Sequence, residues 1–206
     1  YLDKNGDFIS EKSKLGALAV GVPGTVAGIF EVYKKFGSLP LDQLFKPVID
    51  LAKNGHVVTS KQASRLNQFK KIIKDVNSEE SLYTQNYKEG DTLKNVALAN
   101  TLIRISKNGR KEFYEGETAR TMVDYLDSKN GIITLKDFKA YEAIWREPIV
   151  FNYKDLKIIS MSPPSSGGIC LAQILKLIEP YPIKDYGHNT AKTIQLITEA
   201  ERRAYA

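Results

Sequence analysis

Residues Ser160–Leu175 read SMSPPSSGGICLAQIL. Two prolines and two serines lead into two glycines, and an apolar run of helical spacing follows. Just upstream, IVFNYKDLKIISM alternates around a polar centre, which predicts two strands joined by a turn near Lys154-Asp155. The PPSSGG turn then ends the second strand, and a helix starts near Gly167 and runs to about Ile178. This passage decides the fold, because almost everything before it reads as helix.

Working outward, GVPGTVAGIFEVYKKFG places a turn at Gly21–Gly24. Thr25 then caps a helix that carries Val26, Ile29, Phe30 and Tyr33 on one face and stops at Gly37. A second helix holds Leu41, Leu44, Phe45, Val48, Ile49 and Ala52, closes at Asn54-Gly55, and should kink or start late at Pro47. A third is capped by Thr59 or Ser60. SEESLYTQNYKEGDTLKN reads as loop, Leu93–Lys107 as a fourth helix and Gly116–Ser128 as a fifth. Thr134 caps a short helix over LKDF, and TAKTIQLITEAERRAYA is a final helix. The expected fold is α-rich α+β: helices over residues 22–145, then a strand pair and helices over 147–206, read together as a single segment.

Composition excludes several classes. The chain has 206 residues with 30 Lys and Arg against 24 Asp and Glu, a net charge of +6. The basic residues are interleaved with acidic ones in no run longer than a KK pair, the pattern of a solvated surface rather than a nucleic-acid face. No segment reaches the roughly 18 consecutive apolar residues of a membrane span. The opening Tyr1-Leu2-Asp3-Lys4 is polar and is not a signal peptide, so the chain is expected to begin inside a longer protein.

Chemistry is sparse. A single cysteine, Cys170, permits no internal disulfide, and it sits in an apolar run as a small hydrophobe would. His56 and His188 are the only histidines and stand in no motif, so no metal site and no cofactor are expected. PPSSGG lacks the glycine two positions before serine that a nucleophile elbow requires, and no base is evident for Ser165, Ser166 or Cys170. No catalytic residue is therefore assigned. The plainest use of the motif is that Ser165 or Ser166 caps the helix while Gly167 and Gly168 let it pack closely. Contact of Ser165, Ser166, Gly167 and Gly168 with an anionic ligand stays open, since helix N-termini carry unpaired N–H groups and partial positive charge. From the residues alone the roles of Cys170, His56 and His188 are undetermined.

Taken as an ordered set, GVPGTVAG (Gly21–Gly28), EFYEGETAR (Glu112–Arg120), NGIITLKDFKAYEAIWREPI (Asn130–Ile149), SPPSSGG (Ser162–Gly168) and EAERRAYA (Glu199–Ala206) resemble the γ-glutamyltranspeptidase family. The resemblance spans nearly the whole chain. It implies an N-terminal-nucleophile hydrolase, an αββα sandwich made as one precursor that cleaves itself into a large and a small subunit. These residues would be the middle to late part of the large subunit. It further implies that an N-terminal threonine attacks the γ-glutamyl amide of a donor such as glutathione, using its own α-amino group as base, and that the enzyme is periplasmic or secreted. By the same resemblance the nucleophile and the oxyanion donors lie beyond Ala206, and the arginine that grips the donor carboxylate lies before Tyr1. The 206 residues alone are thus expected to be inactive, with the remaining large-subunit segments and the small subunit as partners. Ser165 and Ser166 are not the family's oxyanion serines, and the turn they belong to is expected to be architectural. The alternatives are a related amidase or acylase, a poly-γ-glutamate transpeptidase, or a non-catalytic binding or scaffold module.

Overall fold

A computed structural model describes residues 1–206. The chain forms two compact units, residues 1–143 and 144–206. In the first unit the order is α1 (Thr25–Phe36), α2 (Leu41–Asn54), β1 (His56–Val57), α3 (Ser60–Asn77), β2 (Thr92–Leu93), α4 (Val96–Asn108), α5 (Arg110–Glu115), α6 (Glu117–Ser128) and α7 (Leu135–Ala140). The second contains β3 (Ile149–Tyr153), β4 (Leu156–Ser160), α8 (Gly167–Ile178) and α9 (Ala191–Ala204). No helix is long and apolar enough to cross a membrane.

Local chemistry explains most boundaries. Thr59 starts α3 with a reciprocal capping box: its hydroxyl accepts the Gln62 N–H at 3.2 Å, and the Gln62 side chain accepts the Thr59 N–H at 2.9 Å. Thr134 and Asp137 repeat the device at α7. Helix α2 runs through Pro47, so the late start does not occur. Leu93 does not begin α4. It pairs with His56 in a two-residue antiparallel ladder, and the Asn95 side chain starts the helix by accepting the Leu98 N–H at 2.9 Å. The stretch around residues 78–95 read as loop also holds a short 3₁₀ turn, Leu82–Thr84, and is pinned to α3 by Asn67, whose side chain bonds both the N–H and the carbonyl of Tyr87. Helix α5 was not expected. Gly109, at φ +67°, ends α4 and lets a new helix begin at once.

The main core of this unit joins Ala27 of α1, Tyr114 of α5, Ala119 of α6 and Phe138 of α7. A smaller cluster gathers Val58, Ala63 and Tyr87. The small residues at 27 and 119 let helices approach closely around the two rings, which is where burial of aromatic area contributes most.

In the second unit β3 and β4 form the expected hairpin, with Val150 opposite Ile159 and Phe151 opposite Ile158. Lys154 turns the chain at φ 52°, and its N–H donates to the Glu179 carboxylate at 2.6 Å. Period-two alternation sends Phe151 and Ile158 to one face of the pleat and Val150 and Ile159 to the other, where both are exposed. Helix α8 packs on both strands and against α9.

Candidate functional site

The PPSSGG turn leaves β4 at Ser160 and delivers the chain into α8 at Gly167, as its punctuation predicts. Its hydrogen bonds are local. The Ser165 N–H donates to the Ser162 carbonyl at 3.3 Å, and the Gly167 N–H donates to the Ser165 hydroxyl at 3.2 Å. The peptide bond between Pro163 and Pro164 is cis. Ser166 occupies the cap position, but its side chain makes no capping bond; of the two serines it is the Ser165 hydroxyl that accepts a helix-start N–H, that of Gly167. The two glycines differ sharply. A Cβ on Gly167 would meet only the Ser165 hydroxyl, at 3.3 Å, and that glycine has no positive φ. A Cβ on Gly168 would lie 2.0 Å from the Met161 carbonyl oxygen and 3.1 Å from Ile149. Close packing of α8 on the hairpin therefore depends on Gly168, which is buried, and not on Gly167.

No base stands in hydrogen-bond contact with these hydroxyls. In this unit the histidine is His188, whose Nε2 pairs with the neighbouring Asn189 amide at 3.2 Å. His56 belongs to β1 of the other unit. Cys170 is buried, and its thiol donates to the Ala204 carbonyl at 3.5 Å, which makes it a packing residue between α8 and α9. No group of three or more His, Cys, Asp or Glu side chains is placed to hold a metal ion. On α9, Arg202 and Arg203 hydrogen-bond Glu199 and hold its carboxyl at about 2.

The other glycine-rich motif, Gly21–Gly28, is organised by side chains from elsewhere in its unit. Residues 20–24 form no turn, and Thr25 is the first helical residue rather than the cap. The start of α1 is held by Tyr114. Its buried hydroxyl donates to the Pro23 carbonyl at 2.7 Å and accepts the Ala27 N–H at 3.0 Å. Burial raises the Tyr114 pKa while the Ala27 bond pulls the other way, and the net rise keeps the phenol protonated for both bonds. Tyr141 stacks on Tyr114 with ring centroids 5.8 Å apart, and the Arg110 guanidinium lies 4.5 Å over the opposite partner of that stack, the Tyr114 ring. Gly24 leaves room for the Tyr141 ring: a Cβ would sit 2.1 Å from the Tyr141 hydroxyl.

Glu112, two residues before Tyr114, is only 7% exposed. It accepts from Arg104 Nε at 3.0 Å and from the backbone and hydroxyl of Thr118 at 3.2 and 3.0 Å. Burial pushes this carboxyl up, but the Arg104 and Thr118 hydrogen bonds outweigh it and hold the pKa below the usual glutamate value. Gly116 leaves room for the arrangement, since a Cβ there would lie 2.5 Å from the Glu112 carboxylate. The sequence pattern assigns no work to Glu112 or Tyr114. The readable signal was a glutamate and an aromatic pair inside a short run bounded by Gly109 and Gly116, too short to declare its own helix.

The family model described as gamma-glutamyltranspeptidase matches residues 1–206. The glutathione hydrolase proenzyme of Escherichia coli strain K12 is 37% identical over 210 residues, covering 100% of this chain and 36% of that protein. The chain thus spans little more than a third of the length of that curated relative. Among solved structures, the gamma-glutamyltranspeptidase of Helicobacter pylori is 39% identical with a TM-score of 0.92, covering 100% of this chain and 60% of that one. The Bacillus anthracis transpeptidase CapD is 35% identical with a TM-score of 0.78, covering 90% of this chain and 65% of that one. The α-rich architecture with its late strand pair is a segment of the N-terminal-nucleophile hydrolase fold of those enzymes. A family-model match over every residue means that this chain belongs to the γ-glutamyltranspeptidase family.

Proposed function

We propose that residues 1–206 are the middle to late part of the large subunit of a γ-glutamyl transferase or hydrolase, whose substrates are γ-glutamyl amides such as glutathione. The observation that carries the reading is the family match over the full chain at 37% identity to a glutathione hydrolase proenzyme. The catalytic threonine, formed by self-cleavage of the precursor, would come from the small subunit, and the carboxylate-gripping arginine from large-subunit sequence outside these residues. Both would be partners of this segment in a periplasmic or secreted enzyme.

The segment itself supplies scaffold. Amide attack needs an activated nucleophile, a base within reach and donors for the developing oxyanion. Here Ser165 is engaged with Gly167, Cys170 is buried against Ala204, and His188 is paired with Asn189. Ser165, Ser166, Gly167 and Gly168 would act by shaping the turn on which α8 is seated, near the core sandwich. A transpeptidase or acylase acting on another acyl amide is the second reading, supported by the match to CapD.

The test is turnover of γ-glutamyl-p-nitroanilide and of glutathione by the full-length precursor after self-cleavage, beside residues 1–206 alone. The precursor is expected to release p-nitroaniline and hydrolyse glutathione, and residues 1–206 to stay at background. A processed precursor that spares glutathione but cleaves another acyl amide would replace the first reading with the second. Turnover by residues 1–206 that a Ser165→Ala/Ser166→Ala variant abolishes would overturn the scaffold role.

A further inference from the structure

Asn-Gly pairs punctuate the chain at Asn5-Gly6, Asn54-Gly55, Asn108-Gly109 and Asn130-Gly131. Such a pair carries a latent reaction. The backbone nitrogen of the glycine, once it loses its proton, can attack the asparagine Cγ. A succinimide ring forms, the Cγ–Nδ2 bond breaks and ammonia leaves. Water then adds to either ring carbonyl and breaks its bond to nitrogen, giving aspartate when it adds at Cγ and isoaspartate when it adds at the main-chain carbon. Glycine favours the attack because it has no Cβ to obstruct the ring and accepts many backbone angles. The attack also needs the glycine N–H released from its acceptor, the joining peptide free to rotate, and water at hand.

The fold withholds these conditions from the last three pairs. Asn54 is the final residue of α2, and the Gly55 N–H donates to the Leu51 carbonyl at 2.9 Å. The Gly55 backbone is also pressed on β2, since a Cβ there would lie 2.7 Å from the Thr92 side chain and 2.8 Å from the Leu93 carbonyl oxygen. Asn108 closes α4: the Gly109 N–H donates to the Ile105 carbonyl at 2.8 Å, and the Gly109 carbonyl accepts the Glu112 N–H at 3.1 Å as α5 begins. Asn130 follows α6, the Gly131 N–H donates to the Leu126 carbonyl at 2.7 Å, and a Cβ on Gly131 would lie 2.8 Å from that same oxygen. In each case turning the peptide unseats the end of a helix that packs on its neighbours.

Asn5-Gly6 is held differently. Both residues are exposed, and apart from the chain neighbours no heavy atom lies within 4 Å of where a Cβ on Gly6 would stand. The pair tips a small antiparallel turn closed by a bridge between Leu2 and Phe8. The Gly6 N–H donates to the Asp3 carbonyl at 3.1 Å, and the Asp3 carboxylate accepts the Asn5 and Asp7 N–H groups at 2.8 and 2.9 Å. Every one of these partners belongs to residues 2–8, so releasing the Gly6 N–H opens an exposed turn and no helix.

We propose that Asn5 is a site of spontaneous deamidation in the folded protein, and that the helix ends at Asn54, Asn108 and Asn130 suppress the same reaction there. Conversion places a further carboxylate between Asp3 and Asp7, and the isoaspartyl form adds a methylene to the main chain inside the turn. Both changes loosen the bridge between Leu2 and Phe8. Nothing in this chemistry depends on γ-glutamyl turnover.

The experiment incubates the full-length protein at mildly alkaline pH, in native buffer and in urea, and then digests it with pepsin in acid, where little further conversion accumulates. Mass spectrometry reads the amide-to-acid mass gain on each Asn-Gly peptide, and chromatography separates the aspartyl from the isoaspartyl form. In native buffer position 5 is expected to convert at least about tenfold faster than positions 54, 108 and 130, whose opening requires a helix end to unfold. In urea the rates should converge, because the reacting pair is the same at every position. Asn5→Gln should abolish the gain on its own peptide and leave the others unchanged. Native conversion at position 5 no faster than at the other positions overturns the proposal. So does an order of rates that persists in urea, which would trace the difference to neighbouring residues and not to the fold. A gain that survives in Asn5→Gln overturns the assignment to Asn5. The readout needs no substrate, so a protein inert toward γ-glutamyl amides but converted at position 5 would sink the proposed activity and leave the deamidation site standing.

Discussion

The two glycine-rich helix starts of this chain, one in each compact unit, come into close contact by different means. At Gly24 the contact is a side chain, the Tyr141 hydroxyl, and the helix start is finished by another, the bridging hydroxyl of Tyr114. At Gly168 the contact is backbone, the Met161 carbonyl, and the helix start is finished locally by Ser165. A side chain can swing away from an added methyl group, whereas a carbonyl moves only if the strand that carries it moves. The first helix start therefore depends on a distributed set of residues, and the second on one absent Cβ.

That difference is open to direct attack, and the largest effect is expected at Gly168. Gly168→Val forces a Cβ onto the Met161 carbonyl and should cost about 3 kcal/mol or more, the upper part of the overpacking range. Gly167→Val, its neighbour in the same helix turn, should cost less than about 1 kcal/mol, because only the Ser165 hydroxyl is near and the backbone is unstrained. Thermal melts read both, and faster amide exchange confined to α8 and its hairpin would place the Gly168 effect. Equal losses at the two positions would break the distinction.

Tyr114→Phe comes next. It removes one oxygen and leaves the Pro23 carbonyl and the Ala27 N–H without their partner in a buried place. The expected cost is about 2 kcal/mol, within the range for orphaned buried groups. Exchange of the Ala27 amide should rise more than that of amides deeper in α1, and an unchanged Ala27 rate would show that the bridge does not hold the helix start.

The smallest effect is electrostatic. Glu112 is held ionised by Arg104 and Thr118, so its folded pKa lies below the ordinary value of about 4.3. Its stabilising contribution is therefore fully present above the unfolded pKa and fades as acidification carries the protein through the lower folded value. Arg104 is partly exposed, which screens the pair, and Glu112→Gln should cost only about 1 kcal/mol at neutral pH. Wild-type and variant melting curves should converge as pH falls below 4. A gap that persists unchanged to the acid end would mean that Glu112 acts through shape and not through charge.

Some of this architecture was legible in the residues and some was not. The strand pair at Ile149–Ser160, the helix from Gly167 to Ile178, and the capping boxes at Thr59 and Thr134 follow from interactions a few residues long: alternation, a turn, and a side chain reaching three positions along its own helix. The family followed from the order of the motifs. Short-range pattern misled where a more distant partner supplied what was missing. Thr25 looked like a cap, but Tyr114, 87 residues from Ala27, does that work. Leu93 looked helical, but His56 pairs with it across the intervening helix.

The sequence alone determined, then, the α-rich class, the hairpin with its following helix, the absence of a disulfide within the chain and the likeness to the γ-glutamyltranspeptidases. Each rests on periodicity, composition or motif order, which a linear string carries in full. Only the tertiary structure decided which glycine is indispensable, what closes α1, that Cys170 is bonded to Ala204, and that Glu112 sits buried between Arg104 and Thr118. These depend on which atoms come within about 3 Å of each other, and residues far apart in the chain reach that distance only after the helices have packed.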